Sequence, residues 1–133
     1  MTAETKTLLV VDDDPAMRDC LEELLRLQGY QVLTAIDGET GLRAVRTARP
    51  DLIVLDVAMP GMDGFRVATQ IKADPTLKHI PIILYSGILE ESFALLAYET
   101  KVEYFLPKTG SIRPILVATR QLLDMPRETR PQA

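Results

Sequence analysis

Five polar side chains lie at the ends of apolar segments of this sequence. Asp12 and Asp13 follow LLVV, Asp56 follows LIVL, Ser86 ends PIILYS, and Lys108 follows EYFLP. Clustered carboxylates raise one another's pKa unless a positive charge lies between them, and a hard divalent cation such as Mg²⁺ takes oxygen ligands of this kind. A lysine and a hydroxyl beside that metal are suited to binding a phosphoryl group.

This pattern favours a protein that is itself phosphorylated on an aspartate. The sequence contains neither the GxxxxGK[ST] loop nor the GxGxxG motif with which many proteins bind nucleotide phosphates. A carboxylate that attacks phosphorus and becomes an aspartyl phosphate fits the residues better than a bound nucleotide does. The metal, the lysine and the hydroxyl would then serve that transfer.

Each of these residues also has a simpler interpretation when it is taken alone. An aspartate after a strand often caps the next helix, and we interpret Asp14 and Asp63 in this way and Asp37 as a turn or cap residue. Ser86 alone fits a turn residue, and Lys108 alone fits a solvated surface charge. Four of the five predicted strands nevertheless end in ionisable or hydroxyl groups, whereas the strand interiors carry almost none. The convergence favours a functional site.

Apolar segments alternate with amphipathic helical segments along the chain. The predicted strands are TLLVV, QVLTAI, DLIVLD, IPIILYS and EYFLP, and a helix is predicted after each of them. This alternation predicts β-α-β crossovers and therefore an α/β fold with a parallel sheet and helices on both faces. The carboxyl ends of parallel strands meet at one edge of such a sheet, where ligands bind. The five polar side chains are therefore expected to lie together.

Length and composition restrict the class of protein. The 133 residues include 15 basic and 19 acidic side chains, and this net charge of −4 argues against a surface that binds nucleic acid. The single cysteine, Cys20, allows no disulfide within the chain and is predicted to fill the core beside helix one. No signal segment or membrane-spanning run is recognised, so we expect a cytoplasmic protein without a membrane partner. One domain is predicted over residues 7–124, with flexible tails at 1–6 and 125–133.

Four motifs, in this order and at these separations, resemble those of the receiver domains of two-component response regulators. They are LLVVDDDPAMR, LIVLDVAMPGMDGF, PIILYSG and EYFLPK. The resemblance covers about residues 8–123 and is closest in kind to single-domain, chemotaxis-type receivers. It implies a doubly wound five-stranded parallel sheet with the flavodoxin-like strand order 2-1-3-4-5.

The resemblance also implies how the phosphorylation site is built. Asp56 would be the phosphoacceptor, and Mg²⁺ would be bound directly by Asp13, Asp56 and the backbone carbonyl of Ala58. Asp12 would contact the metal mainly through water. Lys108 would bind a phosphoryl oxygen.

A second group of residues would carry the response to phosphorylation. Ser86 would donate a hydrogen bond to the phosphoryl group, and Phe105 would be the switch aromatic that turns inward as Ser86 moves. The sequence departs from the family here, since Phe105 lacks the hydroxyl of the common tyrosine and Thr109 replaces the proline that commonly follows the lysine. We predict a trans peptide bond between Lys108 and Thr109. Lys101 and Val102 replace a common Gly-Ala pair.

The predicted function is that of a phosphorylatable receiver in a phosphorelay. It would take its phosphoryl group from a histidine kinase or a phosphotransfer protein, and would promote its own phosphorylation and dephosphorylation without being a turnover enzyme. The alternative is a constitutive interaction module with a receiver fold that phosphorylation does not regulate. A receiver cut from a longer protein is a third interpretation.

The output surface is predicted on helix four, strand five and helix five. A downstream protein, or a second copy of the chain in a homodimer, would dock there. Leu95 and Tyr98 are expected to be exposed because they lie off the helical stripe of Leu89, Phe93, Leu96 and Ala97, which would face the core. A deeply buried helix four is the alternative.

Overall fold

Five strands alternate with five helices in the computed structural model, which describes residues 5–87, 91–108 and 110–124. The strands are β1 (Thr7–Val11), β2 (Gln31–Ala35), β3 (Leu52–Asp56), β4 (Ile82–Ser86) and β5 (Tyr104–Pro107). The helices are α1 (Pro15–Leu27), α2 (Gly38–Ala48), α3 (Gly64–Ala73), α4 (Glu91–Thr100) and α5 (Arg113–Asp124). The predicted tails lie outside the described residues, apart from residues 5 and 6.

All neighbouring strands are parallel, and their order in the sheet is β2-β1-β3-β4-β5. The predicted doubly wound α/β fold and its strand order are therefore confirmed. The chain moves outward from β1 to β2 on one side and then to β3 on the other, so the strand order reverses between β1 and β3. Ligands of open α/β sheets bind at such a reversal, beyond the carboxyl ends of the strands.

The hydrophobic core has two halves, one on each face of the sheet. Leu9, Ile53 and Leu84 point to the face covered by α2, α3 and α4. The neighbouring Leu8 and Val54 point to the opposite face, which α1 and α5 cover. Because successive residues of a strand face opposite sides, burial on both faces requires uninterrupted apolar runs. This explains why LLVV, LIVL and IIL show no polar alternation.

Three aspartates cap the helices that follow them, as predicted from the sequence. Each side chain accepts a hydrogen bond of 2.8 to 3.0 Å from a backbone N–H in the first turn. The three caps are Asp14 for α1, Asp37 for α2 and Asp63 for α3.

In the described part of the chain, no helix has the length and apolar composition needed to cross a bilayer.

The prediction that Cys20 fills the core is wrong. Cys20 is exposed, because the buried stripe of α1 is centred on Leu21 and Leu25, and Cys20 lies about 100° around the helix from Leu21. Gly64 begins α3 directly after the Asp63 cap. A Cβ at Gly64 would lie 2.3 Å from the carbonyl oxygen of Asp56, so this glycine is required by close packing.

Candidate functional site

The polar residues that follow four strands meet at one edge of the sheet, as the sequence predicted. Asp56 and Ser86 end β3 and β4, and Asp12 and Lys108 directly follow β1 and β5. Asp12, Asp56 and Ser86 are buried, each with no more than 1% of its surface exposed. The Lys108 ammonium lies 3.3 Å from Oδ2 of Asp12 and also 3.3 Å from Oδ1 of Asp56. A lysine is thus shared between two buried carboxylates.

A third carboxylate completes an acidic cluster. Carboxylate oxygens of Asp12, Asp13 and Asp56 lie within 4.8 Å of one another, and Asp13 is exposed to solvent. Three oxygen ligands around one point, two of them buried, are suited to a hard divalent cation that keeps several of its waters. The residues predicted to bind metal through their side chains are therefore close enough to share one ion.

Burial makes this arrangement costly for the charged form of Asp56. Burial, and then the negative charge of Asp12, raise the pKa of the Asp56 carboxyl to about 7, against the opposing effect of Lys108. One ammonium therefore does not compensate the two buried carboxylates, and a bound cation would favour their ionised forms. A buried carboxylate whose negative charge is only partly compensated by a neighbouring lysine is typical of a functional site.

The loop after β3 holds the Asp56 carboxylate from the other side. The backbone N–H of Ala58 donates to Oδ1 of Asp56 at 3.3 Å, and the N–H of Gly64 donates to the Val57 carbonyl at 2.9 Å. The start of α3 is therefore packed directly against the end of β3. Ala58 itself is exposed beside the site.

The sequence interpretation missed Tyr85. This residue of β4 is fully buried, and its phenol donates a hydrogen bond to Oδ2 of Asp12. Its ring centroid lies 5.0 Å from the Lys108 ammonium. Burial, and then the charge of Asp12, raise the pKa of the Tyr85 phenol. One signal was available, because a tyrosine within a wholly apolar strand needs a hydrogen-bond partner for its buried hydroxyl.

Phe105 packs inward against the helices on its face of the sheet. Its ring lies 6.2 Å from that of Phe65 on α3, which in turn lies 5.4 Å from that of Phe93 on α4. The structure thus joins β5 to α3 and α4 through three rings. The switch role implied by the resemblance stays a prediction. The bond between Lys108 and Thr109 lies outside the described residues.

The surface of α4 is apolar and largely exposed, so the alternative of a deeply buried helix is wrong. Leu95 is 59% exposed and Tyr98 is 66% exposed, as predicted. Leu96 was expected to face the core but is 40% exposed, whereas Ala97 is buried and Phe93 is half-buried. Because α4 touches the rest of the molecule mainly through Phe93 and Ala97, its buried stripe is narrow. Leu89 lies outside the described residues.

Comparison with protein families agrees with this geometry. Residues 8–120 match the model of the response regulator receiver domain. The chain belongs to this family. The predicted resemblance is therefore confirmed, and the acidic cluster of Asp12, Asp13 and Asp56 is typical of the phosphoacceptor site of this family and could hold a metal ion.

Two curated relatives are longer than this chain and match it over part of their length. The chain is 43% identical over 101 residues to response regulator PleD of Caulobacter vibrioides. This match covers 76% of this chain and 22% of PleD. It is 41% identical over 117 residues to the transcriptional regulatory protein AfsQ1 of Streptomyces coelicolor, covering 88% of this chain and 51% of AfsQ1. The chain thus spans about half or less of these relatives.

Solved structures share the fold over nearly the whole chain. Chemotaxis protein CheY4 of Vibrio cholerae superposes with a TM-score of 0.83 at 26% identity, covering 90% of this chain and 99% of that one. Response regulator TrrA of Thermotoga maritima, solved in complex with Mg(2+)-BeF, superposes with a TM-score of 0.80 at 30% identity, covering 89% and 99% of the two chains.

Proposed function

We propose that this receiver accepts a phosphoryl group on Asp56 from the phosphohistidine of a histidine kinase or a phosphotransfer protein, with Mg²⁺ as cofactor. The observation that carries the proposal is the position of the Lys108 ammonium, 3.3 Å from both Asp12 and Asp56 within the acidic cluster. The complex of TrrA with Mg(2+)-BeF shows that a relative at 30% identity binds this pair of ligands.

The metal would be held by Asp13, Asp56 and the carbonyl of Ala58, with Asp12 acting mainly through water. Bound there, Mg²⁺ would supply positive charge to the oxygens of the transferring phosphoryl group. The three carboxylates fit this role because their oxygens lie within 4.8 Å of one another and one of them, Asp13, faces solvent. Solvent access on that side leaves room for the waters that Mg²⁺ retains.

The side chains of the site would carry out the transfer together. A carboxylate oxygen of Asp56 attacks phosphorus in line while the bond from phosphorus to the donor nitrogen breaks. Lys108 then pairs with a phosphoryl oxygen and compensates the charge that develops on it. Ser86, which ends β4 next to Asp56, donates a hydrogen bond to another oxygen. Phe105 would respond to that contact as the switch aromatic.

Phosphate incorporation tests the proposal directly. Treatment with acetyl phosphate and Mg²⁺ should add one phosphate to the wild type and none to Asp56→Asn, as measured by intact-mass spectrometry. Asp51→Asn is a matched control, because Asp51 precedes β3 at the opposite edge of the sheet and should leave incorporation unchanged. A wild type that gains no phosphate would support the alternative of a constitutive interaction module.

We also propose that the receiver promotes its own dephosphorylation only slowly. The side chain of Ala58 is a methyl group exposed beside Asp56, and it cannot hydrogen-bond to an attacking water. Positioning of water is a large part of hydrolytic catalysis. Ala58→Asn should therefore shorten the lifetime of the aspartyl phosphate by about tenfold. The lifetime is measured as the loss of phosphate mass over time. An unchanged lifetime would show that Ala58 does not control this step.

The output of the receiver is proposed to be protein docking on the face formed by α4, β5 and α5. Its support is the exposed apolar surface of Leu95, Leu96 and Tyr98 on α4. A downstream protein or a second copy of the chain would bind there, and the net charge of −4 argues against nucleic acid as the ligand. Histidine kinases take their phosphate from ATP in the cytoplasm. We therefore propose that the receiver acts in the cytoplasm.

A further inference from the structure

Tyr85 contacts two members of the phosphorylation site without belonging to the residues described for it. We propose that Tyr85 is a positioning residue, which keeps the Lys108 ammonium between Asp12 and Asp56 so that it is available to the incoming phosphoryl group. The inference rests on the proposed function of the site. The carboxylates, the metal and the lysine would be sufficient for the chemistry of transfer. The phenol and the ring face of Tyr85 are additional to them.

The phenol acts on Asp12. Oδ1 of this buried carboxylate accepts the backbone N–H of Asp14 at 2.9 Å, and Oδ2 accepts the Tyr85 hydroxyl while lying 3.3 Å from the Lys108 ammonium. Hydrogen bonds donated to a carboxylate spread its negative charge and fix its orientation. The phenol therefore weakens the attraction between the Asp12 carboxylate and the Lys108 ammonium.

The ring acts on Lys108 itself. The ammonium lies 5.0 Å from the ring centroid, within the range at which an aromatic face attracts a cation. The backbone holds both residues in register, because the Lys108 N–H donates to the Ser86 carbonyl at 2.7 Å and Tyr85 pairs with Asp56 between β4 and β3. Tyr85 is thus a rigid support in the strand between the phosphoacceptor and the lysine.

Loss of the hydroxyl should shift this balance in one direction. In Tyr85→Phe the ring remains, but Oδ2 of Asp12 loses a donor and Lys108 becomes its main partner. The ammonium is then drawn toward Asp12 and away from Asp56, so phosphoryl transfer slows. The carboxylates that bind the metal keep their number and charge, so the affinity for Mg²⁺ should hardly change. A difference between these two effects is the signature of positioning.

The experiment compares the wild type, Tyr85→Phe and Tyr30→Phe. The last is a matched control, since it removes a phenol that lies just before β2 at the opposite edge of the sheet. At saturating Mg²⁺, the rate of phosphorylation by acetyl phosphate should fall about fivefold to tenfold in Tyr85→Phe only. The Mg²⁺ dissociation constant, measured by calorimetry, should stay within about twofold of the wild type in both variants.

Two further measurements separate positioning from packing. If Tyr85 acts through Lys108, Tyr85→Phe should cause no additional loss of rate in a Lys108→Gln background. The chain has four tyrosines and no tryptophan, so tyrosine dominates a near-ultraviolet difference spectrum on Mg²⁺ addition. That change should be present in the wild type and in Tyr30→Phe, and lost in Tyr85→Phe.

Several results would overturn the proposal. An unchanged rate in Tyr85→Phe, a rate loss matched by an equal loss of Mg²⁺ affinity, or an additive effect in the Lys108→Gln background would each do so. If Tyr85→Phe does not fold, a wild-type tyrosine spectrum that does not change on addition of Mg²⁺ would contradict the proposal. The spectral measurement requires no phosphorylation, so a wild type that binds Mg²⁺ with the expected spectral change but accepts no phosphate would contradict the proposed function alone.

Discussion

The site edge of the sheet and the outer surface of α4 depart from the usual distribution of side chains in opposite ways. At the edge, Asp12 and Asp56 are charged groups almost wholly removed from solvent. On α4, Leu95 and Tyr98 are apolar or aromatic groups with more than half of their surface exposed. Buried charge and exposed apolar surface both cost stability, so each fits the binding role proposed for it.

The two regions should therefore respond differently to substitution. The edge is closely packed and electrostatically strained, so changes there should alter the free energy of unfolding. The surface of α4 makes few contacts with the rest of the molecule, so changes there should alter binding and leave folding almost untouched. The following substitutions test this contrast.

The largest effect on stability is expected at Gly64, where α3 meets β3. A Cβ at this position would lie 2.3 Å from the Asp56 carbonyl oxygen and 2.9 Å from Cα of Val57, and neither backbone atom can move aside easily. Gly64→Ala should destabilise the fold by roughly 2–3 kcal/mol, measured by urea denaturation. Gly87→Ala is the control, because a Cβ there would meet nothing within 4 Å. Equal losses in the two variants would contradict close packing at this edge.

The next effect concerns the electrostatics of Asp56. In the folded chain, burial and Asp12 raise its pKa from 3.8 to about 7. Between these pH values the folded state keeps a proton that the unfolded state releases, so stability should fall as the pH rises from about 4 to about 7. Asp56→Asn removes that loss. At pH 8 in EDTA it should be more stable than the wild type by roughly 1–3 kcal/mol, measured by urea denaturation.

An aspartate with the opposite shift checks the sign of this effect. Hydrogen bonds from the backbone and side chain of Thr76 lower the pKa of the Asp74 carboxyl. Its contribution to stability should be present above pH 4 and lost as the pH falls through its lowered pKa. Asp74→Asn should therefore reduce the fall in the free energy of unfolding at acid pH. Asp56→Asn should instead reduce the fall in the free energy of unfolding between about pH 4 and about pH 7. Parallel curves for the two variants would contradict the electrostatic account of the site.

Substitutions on α4 should separate binding from folding. Leu95→Glu and Tyr98→Glu should change the free energy of unfolding by no more than about 0.5 kcal/mol, because both side chains are mostly exposed. They should weaken assembly through this surface by at least about fivefold. Self-association of the Mg²⁺-loaded, phosphorylated chain, measured by sedimentation, is one readout.

The control on the same helix is Ala97→Glu. Ala97 is 3% exposed and packs in the core, so a glutamate there should destabilise the fold by well over 1 kcal/mol. Large losses of stability in Leu95→Glu as well would show that the surface of α4 is part of the folded core.

Much of the fold could be predicted from the sequence because its signals are repeated. Uninterrupted apolar runs marked the inner strands, and Asp14, Asp37 and Asp63 marked the starts of three helices. Parallel strands bring their carboxyl ends to one edge, so residues far apart in the chain, such as Asp12 and Lys108, could be placed together. These inferences depend on periodicity and topology, which short segments are sufficient to reveal.

Other features depend on distances that no pattern encodes. The hydrogen bond of Tyr85 to Asp12 joins residues 73 positions apart, and the apolar strand around Tyr85 indicated a buried hydroxyl without identifying its partner. The exposure of Cys20 depends on how α1 is rotated against the sheet by about one residue. The need for glycine at position 64 arises from contact between α3 and the backbone that follows β3, and no sequence pattern indicates that contact.

The smallest effect on function is expected at Lys101, which links the end of α4 to the strand leading to the site. Lys101 has a φ of 63°, and its N–H donates to the Tyr98 carbonyl at 3.1 Å, so it ends the helix in the left-handed conformation that favours glycine. Lys101→Gly should stabilise the fold by about 0.5–1 kcal/mol, measured by thermal denaturation. Lys101→Ala is the matched control, since it removes the same side chain but keeps a Cβ, and it should give no such gain. Because neither change alters α4's exposed face or the acidic cluster, phosphorylation and docking should both stay as in the wild type. An equal gain in both variants would mean that the lysine side chain, and not its backbone conformation, limits stability at this junction.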